Sequence, residues 1–469
     1  MTTLPSSTGC LRVLTLPVVC ALVTLGDVTA AHAQGSATVR DTVLENGLHV
    51  IVIPNPATPV ATLEIVVRAG AFTQVEAPDE GLPHVLEHLL FKTYRGGRGF
   101  ASDASDAGAT YNGTTGDERV TYYVTLPSEN AERGIDLLSE LVRDPDFDSR
   151  ALEDERRVVQ GELQRMASDP YTVLRLVSDM VLWGPAFRRK NAIGTMGTIL
   201  DAETERLRDH YRKYYLPNNA ALVASGDVRA DDVFSWASDR FRRWEPGPDP
   251  FVDFEAPQVE PIGADTAFVV DMPSSDVTFV VKWHGPSVSE DATGTLAAAV
   301  FSTMFNQSIS GAQRRLVDSG IFQSVSMGYQ TLEHVGPITL SARTTPDGIA
   351  RALVELGLEL ALLADPTYVD ENDLAAAKRS LLVGSAIARE SGASAAHTLA
   401  TLWAVGGLDY YVAYDEGLQA VTVEDVRAFL DRYLIDRPRV IALLATEELS
   451  AQLAPVLHEV VLSRWPRGR

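Results

Sequence analysis

Three side chains within one short stretch, His84-Val85-Leu86-Glu87-His88, have the types and spacing for hydrolytic chemistry at a metal ion. Residues four apart on a helix lie one turn above each other on the same face, so the imidazoles of His84 and His88 can converge on a single cation. Glu87, one position before the second histidine, comes close enough to act on a water held at that cation. The order H-x-x-E-H inverts the commoner H-E-x-x-H zinc signature. Of the nine histidines, at 32, 49, 84, 88, 210, 284, 334, 397 and 458, only this pair is so placed. An amphipathic helix with two surface histidines gives the same pattern, so a third ligand decides between the two.

A catalytic zinc takes three protein ligands and keeps a fourth position for water. Candidates for the third lie in Leu152-Glu153-Asp154-Glu155-Arg156-Arg157-Val158-Val159-Gln160-Gly161-Glu162-Leu163, which reads as a helix with apolar residues at 152, 158, 159 and 163. Glu155 and Glu162 are seven apart and share a face. One can bind the metal, and the other can hold a ligand histidine through its second ring nitrogen. Most other carboxylates of so charged a helix simply face solvent.

H-x-x-E-H followed by E-R-x-x-x-x-x-E some seventy residues on resembles the pitrilysin, or M16, metallopeptidases. The resemblance extends to Gly81-Leu82-Pro83 before the motif and Leu89-Leu90-Phe91-Lys92-Thr93 after it, to Asn112-Gly113-Thr114-Thr115 with Tyr122, and to Tyr214-Tyr215-Leu216-Pro217-Asn218-Asn219 and Gly226-Asp227-Val228. It implies that His84, His88 and Glu162 hold one zinc ion, that Glu87 is the general base and that Glu155 is an auxiliary acid. Asn112-Gly113 alone reads as a hairpin turn. The resemblance instead implies an edge strand beside the cleft, with Asn112 in contact with a peptide that adds as a further strand. The implied activity is zinc-dependent hydrolysis of peptides or small unfolded proteins. The implied fold is α+β, two tandem homologous α/β sandwich domains forming a clamshell.

One part of the pattern departs. Active members of the family often carry an arginine and a tyrosine in the second half, on an L-R-x-x-x-x-L-x-Y stretch. Here the corresponding run is Gln313-Arg314-Arg315-Leu316-Val317-Asp318-Ser319-Gly320-Ile321-Phe322-Gln323. The tyrosine position falls on Gln323 and the arginine position on Leu316 or Val317, with Arg314 and Arg315 out of register and Tyr329 too late. This departure suggests a homo- or heterodimer in which another chain of the family supplies the pair. The alternative is a non-catalytic or partner-dependent subunit of the same fold.

The 469 residues exceed a single core, and 45% apolar with 22% charged residues is ordinary globular composition. A net charge of −23 argues against nucleic-acid binding. The apolar run 11–25, followed by Ala31-His32-Ala33, reads as an export leader over residues 1–33 with an A-x-A cleavage site, which places the mature chain in the periplasm or outside the cell. An uncleaved anchor is the alternative. Both cysteines, Cys10 and Cys20, fall inside that leader, so the mature chain has neither a disulfide framework nor thiolate metal ligands.

The elements that must position the site follow from periodicity. Strands are expected at 48–54, 60–68, 109–126 and 220–226, and helices at 79–91, 129–143, 149–167, 170–182, 201–214 and 230–243. Gly96-Gly97-Arg98-Gly99 reads as a turn. A proline-rich linker over 246–264 separates a metal-binding domain, 34–245, from a second domain, 265–469. The second half echoes the first. Asp365-Pro366 and the helix after it repeat Asp144-Pro145 and the glutamate helix, with Ala377 at the position of Glu155 and Gly384 at that of Glu162. No H-x-x-E-H recurs there, so one half carries the ligands and the other only the architecture.

Overall fold

The computed structural model describes residues 39–95, 97–457 and 465. The leader, both cysteines, Gly96 and His458 lie outside the described residues. The first half runs β1 (Arg40–Val43), β2 (His49–Pro54), β3 (Val60–Val67), α1 (Leu82–Leu90), a ribbon of β4 (Tyr94–Arg95) and β5 (Arg98–Gly99), and α2 (Phe100–Asp106). The hairpin β6 (Thr110–Thr115) and β7 (Val120–Pro127) leads to α3 (Ala131–Arg143), α4 (Ser149–Ser168), α5 (Pro170–Trp183), α6 (Met196–Leu200) and α7 (Thr204–Tyr214). Strand β8 (Ala220–Gly226) and α8 (Ala230–Phe241) end this half, and residues 242–265 contain no helix or strand.

The second half begins with β9 (Thr266–Asp271), β10 (Val277–His284), α9 (Val288–Asn306) and α10 (Gly311–Gln313). It continues through β11 (Ser324–Tyr329), β12 (Pro337–Thr344), α11 (Ile349–Leu362), α12 (Glu371–Glu390) and α13 (Gly392–Ala420). It ends with α14 (Val423–Tyr433), β13 (Val440–Ala445) and α15 (Glu447–Val456).

The architecture is α+β, a clamshell of two tandem halves with one mixed sheet each. The strand orders are β1-β2-β8-β3-β7-β6 and β11-β12-β10-β13-β9. The repeat shows in the helices. α4 and α12 are each 20 residues long, and both are capped by an aspartate, Asp148 or Asp370, whose side chain accepts from the first free amides. Counting from these caps, Glu155 and Ala377 share one position and Glu162 and Gly384 another. α7 and α14 are 11 residues each.

β3 reads VATLEIVV because both of its faces are covered. Leu63, Ile65 and Val67 join the core formed with this half's own helices. On the opposite face Val66, with Ile51, Ile53, Ala221 and Val223, meets Ala395, Ala396, Leu399, Ala400, Trp403 and Ala404 of α13, a helix of the second half. The exchange is mutual. α5 of the first half places Leu174 against Val270, Val280, Ala442 and Leu444 of the second sheet, and Leu182 and Trp183 against Val440. Each exchanged helix is also pinned by a charged pair: Lys282 Nζ to Asp179 Oδ1 at 2.6 Å, and His397 Nδ1 to Glu64 Oε2 at 2.5 Å. The two valves are therefore interlocked rather than merely tethered through residues 242–265.

Where boundaries differ from expectation, the local chain explains it. α1 starts at Leu82 rather than 79 because Ala77–Asp79 is a separate 3-10 turn and Gly81 adopts φ 90°, a left-handed conformation that stops the helix from extending back. The helix expected over 201–214 begins at Thr204, and α6 precedes it. Asn112-Gly113 lies within β6, and the chain turns at residues 116–119 instead. Within the expected turn at 96–99, Arg98 and Gly99 form β5 and pair with β4, and α2 behind them was not anticipated.

Candidate metal centre

α1 carries the first three candidate residues. Its Leu82, Val85, Leu86, Leu89 and Leu90 are buried in the first core, which turns His84 and His88 together toward α4. Its first turn is held from outside. The fully buried Gln74 accepts from the Gly81 amide at 2.5 Å and donates to the Asn191 carbonyl at 3.1 Å. Gly81 must be glycine on steric grounds as well, since a Cβ would lie 2.9 Å from Gly194 Cα. Nothing in the sequence singles out Gln74; a lone glutamine in a loop has no pattern.

α4 lies across α1 and brings in the two glutamates. The His84 and His88 rings meet edge to face with centroids 4.7 Å apart. Glu162 Oε2 is 3.7 Å from Nε2 of each histidine. His84, His88 and Glu162 are the one group of three or more His, Cys, Asp or Glu among the described residues whose ligand atoms all fall within 4.8 Å of one another. Tetrahedral zinc with bonds near 2.0–2.1 Å separates its ligand atoms by roughly 3.3 Å, so this nitrogen, nitrogen, oxygen set fits such an ion.

Glu155 sits behind the triad. It is buried, and its Oε2 lies 3.0 Å from His88 Nδ1 while Oε1 lies 3.0 Å from Lys92 Nζ. Burial alone would raise the Glu155 pKa, but the bonds to His88 and Lys92 outweigh it and hold the carboxyl below its ordinary range. His88 is moved the other way. Burial pulls it down, and the Glu155 bond with the charges of Glu87 and Glu162 carries it above the usual imidazole value. Burial, with His88 close by, brings His84 down to about 4, so His84 is a neutral ring near pH 7, the form that can ligate.

Glu87 is buried, and burial raises its pKa against the opposing bond from Thr115. The Thr115 hydroxyl donates to Glu87 Oε2 at 2.8 Å. A Cβ on Gly113 would stand 2.5 Å from Glu87 Oε1. Gly113 and Thr115 therefore face Glu87, and strand alternation turns the exposed Asn112 to the other face. There its register partner Tyr123 packs edge-on against His397. β6 is the outermost strand of its sheet, so its free edge runs beside Glu87. Thr115 belongs to a stretch that the sequence singles out, but its partner could not be foreseen.

Several residues in and near the run 313–323 are engaged within the second half. Leu316 is buried in the second core. Arg315 lies within a π-helical turn, Arg314–Asp318, and is engaged by Glu359 through two bonds of 2.7 Å. Gln323 Nε2 donates to Asp276 and the Tyr329 hydroxyl to the Pro286 carbonyl.

Comparison with known proteins defines the family. The model "Insulinase (Peptidase family M16)" matches residues 49–198, and "Peptidase M16 inactive domain" matches residues 201–381. The chain belongs to the M16 peptidase family. It is 22% identical over 388 residues to an "uncharacterized zinc protease" of Rickettsia felis, covering 81% of this chain and 90% of that one. It is 25% identical over 421 residues to the mitochondrial-processing peptidase subunit beta of Blastocladiella emersonii, covering 84% and 86%. It spans about half the length of some other curated relatives. The crystal structure of a protease from Helicobacter pylori superposes with a TM-score of 0.75 at 18% identity, covering 87% of this chain and all of that one.

Proposed function

We propose that the protein is a zinc-dependent metalloendopeptidase that hydrolyses peptides or small unfolded proteins. The observation that carries this is the convergence of His84 Nε2, His88 Nε2 and Glu162 Oε2, with the carboxylate of Glu87 one position along the same helix. A zinc ion bound there would lower the pKa of a water ligand toward neutrality and polarise a scissile carbonyl. Glu87 takes the proton of the attacking water and hands it to the departing amine nitrogen. Glu155 keeps His88 in one tautomer and orientation. A substrate lies extended along the free edge of β6, held by main-chain bonds, with Asn112 meeting it over the edge.

Export to the periplasm or the medium is supported by the apolar run 11–25 and the A-x-A that follows. The sequence departure at residues 313–323 favours a second arrangement of the same chemistry. Leu316 and Val317, either of which falls at the arginine position, pack in or against the second core, and Gln323 at the tyrosine position is engaged by Asp276, so another chain of the family completes the site in a homo- or heterodimer.

The test pairs zinc analysis with a quenched-peptide assay on the exported chain and on Glu87→Gln. One zinc per chain, with turnover lost at least about a hundredfold in Glu87→Gln and zinc retained, supports the reading. Zinc bound without turnover in the unmutated chain points to the partner-dependent subunit, and a chain that binds no zinc overturns both.

A further inference from the structure

Lys92 stands just beyond the C-terminal end of α1, with its amide on the Leu89 carbonyl and its side chain half exposed. Its ammonium reaches Glu155 Oε1 at 3.0 Å, and the other oxygen of the same carboxylate is 3.0 Å from His88 Nδ1. The last torsion of a glutamate is broad and roughly twofold, so a carboxylate tied by one oxygen turns easily about its own axis. Tying each oxygen to a different partner removes that freedom.

The directions of the bonds then follow in sequence. An ammonium can only donate, so Oε1 accepts. Oε2 of the ionised carboxylate accepts as well, which makes His88 Nδ1 the donor. In the neutral ring, the form that can ligate, this leaves the His88 lone pair on Nε2, the atom 3.7 Å from Glu162 Oε2. His84 has no such support: its buried Nδ1 has no hydrogen-bond partner among the described residues. Of the two histidines, His88 alone is oriented by a chain of bonds that ends outside the triad, and Lys92 is the end of that chain.

We infer that Lys92 is a positioning residue for the metal centre, fixing the plane of Glu155 and through it the tautomer and orientation of His88. This rests on the zinc reading given above. It differs from an ordinary surface ion pair, which would leave the metal and the imidazole indifferent to the loss of Lys92.

The experiment compares the full chain with Lys92→Met, Lys92→Arg and Glu155→Gln. Three quantities are measured: zinc affinity by competition with a chelator, the ¹⁵N shifts of the His88 ring, and the denaturation midpoint of metal-free protein. Lys92→Met should weaken zinc roughly three- to tenfold, less than the 10–100-fold typical for loss of a partner bonded directly to a ligand, which Glu155→Gln should show. It should also move the His88 nitrogen shifts toward a tautomer mixture while the metal-free midpoint stays put. Lys92→Arg should restore most of the affinity. Unchanged zinc affinity and unchanged His88 shifts in Lys92→Met overturn the inference and leave the zinc reading standing. An unmutated chain that binds no zinc overturns both.

Discussion

The Thr115 hydroxyl donates to Glu87 Oε2 at 2.8 Å, from β6, the edge strand of the first sheet. The general-base candidate is thus oriented by β6, while the candidate metal ligands come from α1 and α4. Replacing Thr115 by valine keeps the shape of the side chain and removes the donor. A hydrogen bond to a charged group is worth about 1.5–3 kcal/mol, so Thr115→Val should lower kcat by an order of magnitude or more. Zinc content should not change, and Thr115→Ser should recover most of the rate. A Thr115→Val enzyme with unaltered kcat would show that Glu87 needs no such support.

The exchanged helices make the two halves depend on each other. Lys282 and Asp179 form a buried pair at the crossing of α5 and β10, with side chains 4% and 9% exposed. Removing one partner strands the other charge, and such losses cost about 3–5 kcal/mol. Asp179→Ala should therefore shift the urea midpoint strongly downward. A double variant, Asp179→Leu with Lys282→Met, should regain most of that loss, because an apolar pair can fill the same crossing. If the double variant is no more stable than the single one, the charges do more than pin the helix.

The acid side of the pH profile should reveal His210. Burial holds this imidazole down to about 4, while in the unfolded chain it titrates near 6.5. The folded form stays neutral as the unfolded form takes up a proton, so stability falls as the pH drops from about 6.5 to about 4 and then levels off. The loss from this one residue is about 3 kcal/mol. His397 acts in the opposite sense. Its bond to Glu64 raises its pKa, so its contribution is complete below about pH 6.5 and is lost as the pH climbs past the raised value. Denaturation curves over this range for His210→Gln and His397→Gln should each lose one limb of the pH dependence.

Much of the site was legible because its information is local. A helix that holds His84, Glu87 and His88 displays its period in nine residues, and the seven-residue interval of Glu155 and Glu162 survives on any regular helix. The fold class followed from the same motifs, and the internal echo held residue for residue over the 20-residue helices that follow Asp148 and Asp370. What was not legible is which face meets which. The Ala-rich stripe of α13 announces a buried face but not that the other half's sheet buries it. Glu64 and Lys282, single charges inside apolar strands, were the available sign that something polar crosses there. Gln74, Thr115 and Lys92 act through contacts between distant segments, which no spacing encodes.

Gly226 tests how the end of β8 is built. Its φ is 117°, and a Cβ would lie 2.2 Å from the Val60 carbonyl oxygen, a backbone atom that cannot swing aside. The next residue's amide donates to that same carbonyl, and Gly226 itself offers its carbonyl to Asn55. Gly392, the first residue of α13, packs on the other side, where its own Cβ would come 3.3 Å from Gly226 Cα. A side chain at Gly226 must therefore push β3 away from β8 or lift the start of α13. Gly226→Ala should cost more than the roughly 1–3 kcal/mol of backbone strain alone, because the collision adds to it. Thermal unfolding measures the loss. Gly384→Ala supplies the contrast, since a Cβ there meets nothing within 4 Å and the glycine lies inside a helix. That change should stabilise by about 0.5–1 kcal/mol. Equal losses in the two variants would mean that the close approach of β3, β8 and α13 does not constrain position 226.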